Sequence, residues 1–419
     1  MRLLALAEAW GRNGERVTVV GPSPGDALGE RAIASGADVV ATGSAPGSDG
    51  DADALVALAI ERGARWIAVD GAPFGTGFQT RVAGHGPRLL VIDDHGRHHR
   101  YVADLVVDQN LGAAADRYAD RRAARALLGP AYALLRTEFT SRAPELDPHR
   151  PPRRLVVVLG GDPTDEVRRF GEDVADQLRQ ALPELAVEVR AGGSQLREPW
   201  AEHLASADLA VAAAGTTAWE LCYLGVPAVL VSVADDQLPV GAALGAAGAA
   251  SWAGPATPTS AAAVVEAVVE LARSTDRRVE QSTTARRLVD GRGASRVMAE
   301  MRAPLLDLRP ACEDDAVRVW EWANDPVTRD ASFDRTPIPW EDHARWFATR
   351  LADAARPLYL AAAPDGRLVG QVRFDPYGDN GAEIGVTVAP EARGLGVAAP
   401  LILAGVRRMA ATHATTVHA

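Results

Sequence analysis

The side chains best suited to chemistry fall into a few clusters. Gly160-Gly161-Asp162 follows the apolar run Arg154–Leu159, and Ala213-Ala214-Gly215-Thr216-Thr217 follows Leu209–Ala212; each turn leads into a helical pattern. Glycine lets a phosphate approach the backbone, and a helix N-terminus offers unpaired N–H donors with a favourable dipole. The hydroxyls of Thr216 and Thr217 add donors, and the Glu220 carboxylate, one helical turn on, could accept both hydrogens of a ribose diol. The same spacing also suits two ordinary βα turns with a helix-capping threonine. Asp93 and Asp94 close the run Arg88–Ile92, and Asp70 closes Trp66–Val69. Sites in parallel sheets gather at such strand ends, although capping a turn is enough to explain Asp70. His95, His98 and His99 nearby follow no structural zinc spacing, and a solvated loop accounts for them, so no metal is expected. Downstream, Arg393-Gly394-Leu395-Gly396-Val397-Ala398 opens another helix, and its successive N–H groups could wrap a pyrophosphate.

Composition narrows the chemistry. All 44 basic residues are arginine, which excludes a lysine Schiff base, a pyridoxal-phosphate anchor and a Walker-A lysine. Any phosphate must be held by arginine, backbone N–H groups or helix ends. The net charge of −11, with no long basic run, argues against nucleic acid or an anionic membrane as partner. Cys222 and Cys312 lie far apart in apolar or helical segments, which fits a reducing cytoplasm better than a disulfide framework. Met1–Ala7 is apolar but soon meets Glu8, Arg12 and Glu15, so no signal peptide is read there. Leu209–Ala234 is long enough to mimic a membrane span, but Glu220, Gly225 and Pro227 make it strand, turn, helix and strand.

These clusters need a scaffold. At roughly 150 residues per domain, 419 residues make about three. Strand patterns at Arg16–Val20, Asp38–Ala41, Trp66–Val69, Arg88–Ile92 and Leu105–Val107 alternate with helical ones at 2–13, Ala27–Ser35 and Asp51–Arg62, which predicts a parallel sheet flanked by helices. The proline-rich, charged stretch 142–153 reads as a linker. A second α/β unit follows, with strands at Arg154–Leu159, Ala186–Arg190, Leu209–Ala212 and Ala228–Val233 and a closing helix near Arg292–Met301. A third region has strands at Leu306–Arg309, 357–362, 368–374 and Glu383–Val388, with helices near 313–323, 340–353 and 397–411. The fold class is therefore α/β, with two Rossmann-like domains at 1–148 and 149–303 and a third domain at 304–419.

Gly215-Thr216-Thr217-Ala218-Trp219-Glu220-Leu221-Cys222-Tyr223-Leu224-Gly225-Val226-Pro227, followed by Ala234-Asp235-Asp236-Gln237, resembles the UDP-sugar hydrolases of pseudaminic acid biosynthesis and their spore-coat polysaccharide relatives. Val91-Ile92-Asp93-Asp94, the block Asp104–Gly112 and the block Tyr132–Phe139 extend that resemblance over roughly residues 1–303. It implies a two-Rossmann fold of the GT-B glycosyltransferase type. The implied reaction is hydrolysis of UDP-2,4-diacetamido-2,4,6-trideoxy-L-altrose to UDP and free sugar. By the same resemblance Glu220 holds ribose, the 160–162 and 215–217 turns hold the diphosphate, and Asp236 and Gln237 face the sugar. The family's activating histidine sits in a glycine-rich loop just before a Met-Arg pair. Met1-Arg2 matches that pair, so the base and the first strand are expected upstream of Met1, leaving Asp93 and Asp94 as the catalytic candidates in this stretch.

Leu308-Arg309-Pro310, the block Trp320–Pro326, His343-Ala344-Arg345-Trp346-Phe347, Gly370-Gln371-Val372-Arg373-Phe374 and the block Ala382–Ala398 occur in the order of the GNAT acetyltransferases. They are similar to the subgroup that acetylates UDP-4-amino-sugars. The resemblance implies that acetyl-CoA pairs with strand residues Val386 to Val388. Its pyrophosphate would sit on Arg393, Gly394, Gly396 and Ala398. Glu383 is a candidate base acting through water, or simply a solvent-facing strand residue. Trp320, Trp322, Trp346 and Phe347 are expected in the core rather than stacked on an acceptor. Thr416–Ala419 reads as the start of a further strand, so the chain is expected to be cut short at this end too.

The leading expectation is a bifunctional nucleotide-sugar enzyme whose two units perform consecutive steps, so that fusion raises the local concentration of the intermediate. Its partners would be a UDP-linked amino sugar and acetyl-CoA. Two alternatives stay open: a GT-B glycosyltransferase that uses an acceptor instead of water, and an inactive protein that binds a UDP-sugar and acetyl-CoA.

Overall fold

The structure, a computed structural model, describes all residues except 22, 120–124, 142–143, 162, 191–198, 379–380, 413–415 and 419. The chain divides into two compact units, Met1–Ser295 and Arg296–Ala419. Both expected Rossmann-like halves lie in the first unit. The division falls inside the helix Gly293–Arg302, because its last turn is tied to the second unit: Glu300 pairs with Arg407, and Arg302 donates to the Leu395 carbonyl.

The first half of the N-terminal unit holds two parallel sheets. Strands β1 (Thr18–Val20) and β2 (Asp38–Val40) pair with each other. Strands β3 (Trp66–Asp70), β4 (Arg88–Ile92), β5 (Leu105–Asp108) and β6 (Ala126–Leu128) form the second sheet in that order. The helix Asp49–Glu61 starts two residues before the expected Asp51, because the Ser48 side chain accepts from the Asp51 N–H and caps it.

The second half carries a five-stranded parallel sheet. In chain order its strands are β7 (Arg154–Val158), β8 (Ala186–Arg190), β9 (Leu209–Ala213), β10 (Ala228–Ser232) and β11 (Ser251–Pro255). Their spatial order is β11-β10-β9-β7-β8. Every residue of β9 and β10 is buried, which is why Leu209–Ala213 and Ala228–Val231 read as continuous apolar runs. The helix Asp165–Ala181 covers one face through Phe170, Val174 and Leu178, and the Thr164 side chain caps it. The segment read as a linker is firmly held. Buried Arg278 donates to the carbonyls of Pro148 and Arg150, and Arg286 donates to that of Leu146.

The C-terminal unit is a mixed sheet of β12 (Asp307–Pro310), β13 (Leu358–Ala362), β14 (Leu368–Tyr377), β15 (Gly381–Val388) and β16 (Thr416–His418), in that spatial order. The first four are antiparallel and β15–β16 is parallel. The pleat of β14 and β15 separates two faces. Val372, Phe374, Ala382 and Ile384 join the core with Leu401 of the helix Ala398–Thr412, while Gln371, Arg373, Asp375, Gly385 and Thr387 share the other face.

Candidate functional site

The order β11-β10-β9-β7-β8 reverses direction between β7 and β9. Ligands of open parallel sheets bind at the carboxyl ends of strands at such a switch point. Val158 pairs with Ala212, so the turns after β7 and β9 leave the sheet side by side. These are the two glycine turns marked in the sequence. Gly160 has φ +114°, and a Cβ at Gly160 or Gly161 would meet nothing within 4 Å, so this turn is open to an approaching group. Asp162 lies outside the described residues. Gly215 begins the helix Thr216–Leu224 with no side-chain cap and no acidic residue in the first turn, which leaves its first N–H groups available to an anion. Thr216 is half-buried and Thr217 buried. A Cβ at Gly215 would stand 3.5 Å from Gln237 Nε2, so this turn and Gln237 share one hollow. Gln237 is held by its Oε1, which accepts from the Val233 N–H at 3.0 Å.

The first half contributes the strand ends of β3, β4 and β5. Arg2 donates to Asp70 through Nε (3.1 Å) and Nη2 (2.5 Å), and to Asp94 through Nη1 (2.7 Å) and Nη2 (2.9 Å). Burial alone would raise the Asp94 pKa, but the hydrogen bonds from Arg2 and Asn110 outweigh it and hold the carboxyl below its ordinary range. Asp93 is 2% exposed, and its Oδ2 accepts from Tyr101 OH, Tyr118 OH and the Gly96 N–H. Tyr118 OH also lies 2.8 Å from Asp108 Oδ2. Burial, then the charges of Asp108 and Asp93, push that phenol well above the tyrosine range, so it stays a donor. Asp94 therefore sits at the partly open strand end, whereas Asp93 ties the loop after β4 to the end of β5. Arg97 lies 3.4 Å from Asp94 and 4.0 Å from the exposed Asp236, which brings the two halves face to face.

Glu220 does not have the open position expected of a ribose acceptor. It is 3% exposed; Oε1 accepts from Arg136 Nη2 at 3.0 Å and Oε2 from Trp200 Nε1 at 3.1 Å. Arg136 continues to Glu138 (2.7 Å), and Glu138 to Arg31 (2.7 Å) on the helix Ala27–Ala34. A buried ion chain thus joins the two halves at Glu220. Arg136 is not singled out by the sequence reading; an arginine directly after the apolar run Ala133–Leu135 is the available signal. Cys222 offers no nucleophile, since burial pushes its thiol up to about 12.

In the C-terminal unit, β16 pairs with β15 only at Gly381, Ala382 and Glu383. From Ile384 to Val388, β15 has no partner on that side among the described residues. An extended amide chain fits along such an open strand edge. Gly394 (φ +77°) and Gly396 (φ +65°) take left-handed backbone just before the helix Ala398–Thr412, and between them the Leu395 N–H turns back to the Ala392 carbonyl. Arg393 offers neither charge nor N–H there, because its side chain is bound to Asp325 (2.6 Å) and Thr328 Oγ1 (2.8 Å) and its N–H donates to the Pro390 carbonyl. The residues thus fit an extended acyl carrier that ends in a pyrophosphate. Beside them lies a cavity of about 840 Å³, bordered by Val386, Thr387, Val388 and Gln371 among others. Glu383 is exposed at the paired end of β15, two residues from Gly385 on the same face. Trp322 and Phe347 are core residues as expected, while Trp346 is 37% exposed and borders the cavity.

Comparison with known proteins places these geometries. Residues 306–419 match the acetyltransferase (GNAT) domain family. The C-terminal region is a GNAT acetyltransferase domain. The chain matches the crystal structure of MurG from Acinetobacter baumannii at TM-score 0.50 and 16% identity, over 72% of this chain and 94% of that one. Most of the chain therefore has the GT-B fold, with the GNAT domain at its end. Spermidine N-acetyltransferase of Vibrio cholerae in complex with CoA and spermine matches at 20% identity and TM-score 0.23, over 25% of this chain and 63% of that one. A chimera of that enzyme matches at 22% identity and TM-score 0.21, over 23% and 58%. The chain thus spans about three fifths of the length of these acetyltransferases. No curated protein matches the chain. Among the described residues, no helix is long and apolar enough to cross a membrane.

Proposed function

We propose that this chain is a bifunctional nucleotide-sugar enzyme. Its GT-B part would hydrolyse UDP-2,4-diacetamido-2,4,6-trideoxy-L-altrose, and its GNAT domain would acetylate the UDP-4-amino-sugar that precedes it. One observation carries the reading: both glycine turns meet at the switch point of a GT-B-type sheet, in a chain that also carries an acetyltransferase domain. Gly160, Gly161, Gly215, Thr216 and Thr217 would hold the diphosphate, and Asp236 and Gln237 would face the sugar. Water attacks the anomeric carbon from the face opposite UDP. The C–O bond breaks with its electron pair leaving on UDP, and the water proton passes to a base, for which Asp94, partly exposed but paired with Arg2, is the candidate on the first half.

In the GNAT domain, acetyl-CoA supplies the acetyl group as a thioester. Val386 and Val388 would hold its amide chain, and Gly394, Gly396 and Ala398 its pyrophosphate through backbone. The neutral acceptor amine attacks the thioester carbonyl; the C–N bond forms, the C–S bond breaks, and the nitrogen proton passes by way of Glu383 and water to the thiolate. The MurG-like fold favours a second reading, glycosyl transfer from a UDP-sugar to an acceptor. Incubation of the UDP-sugar in ¹⁸O-water without acceptor separates the two. The hydrolase reading expects UDP release with label on the free sugar and none on UDP. UDP release only on addition of an acceptor would overturn it in favour of the transferase.

A further inference from the structure

The cavity of the C-terminal unit contains information about which amine it accepts. Arginines 329, 350, 356, 373 and 393 border it, against Asp342 and Asp375. Most of this charge is spent within the chain. Arg393 is bound to Asp325, Arg356 lies 3.5 Å from Asp353, and Arg329 donates to the carbonyls of Ala323 and Asp334 and to Ser332 Oγ. Asp342 is held by Arg345. Arg350 and Arg373 share one carboxylate, Asp375. Arg350 holds it at 2.6 Å, with a second bond to the Phe374 carbonyl, while Arg373 stands 3.7 Å away. Arg373, with a side chain 41% exposed, is thus a cavity arginine whose guanidinium makes no hydrogen bond among the described residues, since Arg350 already holds the carboxylate beside it.

Its strand neighbour is shaped around it. Arg373 stands opposite Gly385, where a Cβ would fall 2.7 Å from Arg373 Nε and 2.9 Å from its Cζ. Gly385 is absent from the positive-φ positions, so the backbone does not require glycine there; the guanidinium lying across β15 does. Two residues on, Thr387 Oγ1 accepts from Nε2 of the buried Gln371 at 3.2 Å and keeps a lone pair for a further N–H. Two strand residues separate these groups by about 7 Å.

We propose that Arg373 holds an anionic group of phosphate type on the acetyl acceptor while Thr387 holds its amine, so that this domain selects an amine carrying a phosphate ester across one sugar ring. This rests on the reading above that the domain acetylates an amine. A polyamine, cationic along its length, is repelled at Arg373.

The test uses the full chain, with acetyl-CoA and three probes: a UDP-linked 4-amino sugar, the same sugar without UDP, and spermidine. The expected kcat/KM for the UDP-linked sugar exceeds that of the free sugar by about a hundredfold, and spermidine is slower still. Arg373→Ala raises KM for the UDP-linked sugar by about tenfold or more, with kcat and the KM for acetyl-CoA little changed, and Arg373→Lys recovers part of the loss. Gly385→Val, which pushes the guanidinium aside, raises the same KM. An unchanged KM in Arg373→Ala, or an equal loss on the free sugar, overturns the proposal while the acetyltransferase reading stands. A wild-type chain that acetylates spermidine and no UDP-linked sugar overturns both this proposal and the UDP-4-amino-sugar acceptor of the preceding section, while amine acetylation stands.

Discussion

Arg136→Met tests the buried junction between the two halves of the GT-B part. The Arg136 side chain is 1% exposed and that of Glu220 4%, at 3.0 Å. Removing the arginine leaves a buried carboxylate with Trp200 Nε1 as its remaining hydrogen-bond donor. Breaking a buried pair in this way costs about 3–5 kcal/mol. At about 2 °C per kcal/mol for a unit of this size, the thermal transition of the N-terminal unit falls by about 6 °C or more. The effect depends on pH in a set direction. Burial already raises the Glu220 pKa, and Arg136 opposes that rise. Without Arg136 the folded pKa climbs further above its unfolded value, about 4.3. An acid raised in this way binds more protons folded than unfolded, so stability falls as pH rises from the unfolded value through the folded one. The deficit of Arg136→Met is therefore largest near pH 8 and shrinks toward pH 5. Thermal unfolding of the full chain, followed at both pH values, reads it directly. Arg136→Met/Glu220→Gln regains about 2 kcal/mol or more at pH 8, since no uncompensated charge remains. A single-mutant loss under about 1 kcal/mol at pH 8, or strictly additive effects, refutes the reasoning.

Three further outcomes follow from substitutions at glycines. Gly215→Val places carbon in the hollow beside Gln237 and weakens UDP binding by about tenfold or more, measured calorimetrically, with the thermal transition little moved. Gly394→Val forces a β-branched side chain into left-handed backbone at φ +77° and weakens CoA binding by about tenfold, read by titration of the full chain. Gly241→Ala, on the helix Leu238–Ala246, drives a methyl to within 2.1 Å of the Trp252 ring and lowers the stability of the N-terminal unit by about 1–3 kcal/mol, read by thermal unfolding.

Much of this protein was legible from residue order alone. The buried strands β7, β9 and β10 are built on the apolar runs Leu155–Val158, Leu209–Ala213 and Ala228–Val231, because both faces of a parallel sheet are covered, and their positions follow from that pattern. The turns at Gly160 and Gly215 and the glycine loop 393–398 could be found because glycine after an apolar run marks the mouth of a helix, and Gly160, Gly394 and Gly396 do take positive φ. Edge elements were less legible. Ser251–Pro255 mixes polar, glycine and proline residues, and only its pairing with β10 makes it a strand. The missing lysine directs attention to arginine and backbone as phosphate donors, and residue order could not tell that the Arg393 side chain is spent on Asp325.

Tertiary structure decided how the charged side chains are used. Sequence spacing put Glu220 one turn into a helix, but spacing cannot say that Arg136, distant in the chain, would occupy the carboxylate; that pairing depends on two halves meeting. It likewise made Asp93 and Asp94 look equivalent, whereas the loop after β4 turns one toward two tyrosines and the other toward Arg2. The Arg373–Gly385 pair exists only because antiparallel register sets those residues opposite each other. Local pattern determines which segments are strands, helices and glycine turns, because those depend on neighbours in the chain. The fate of a charge depends on neighbours in space, which only the folded chain supplies.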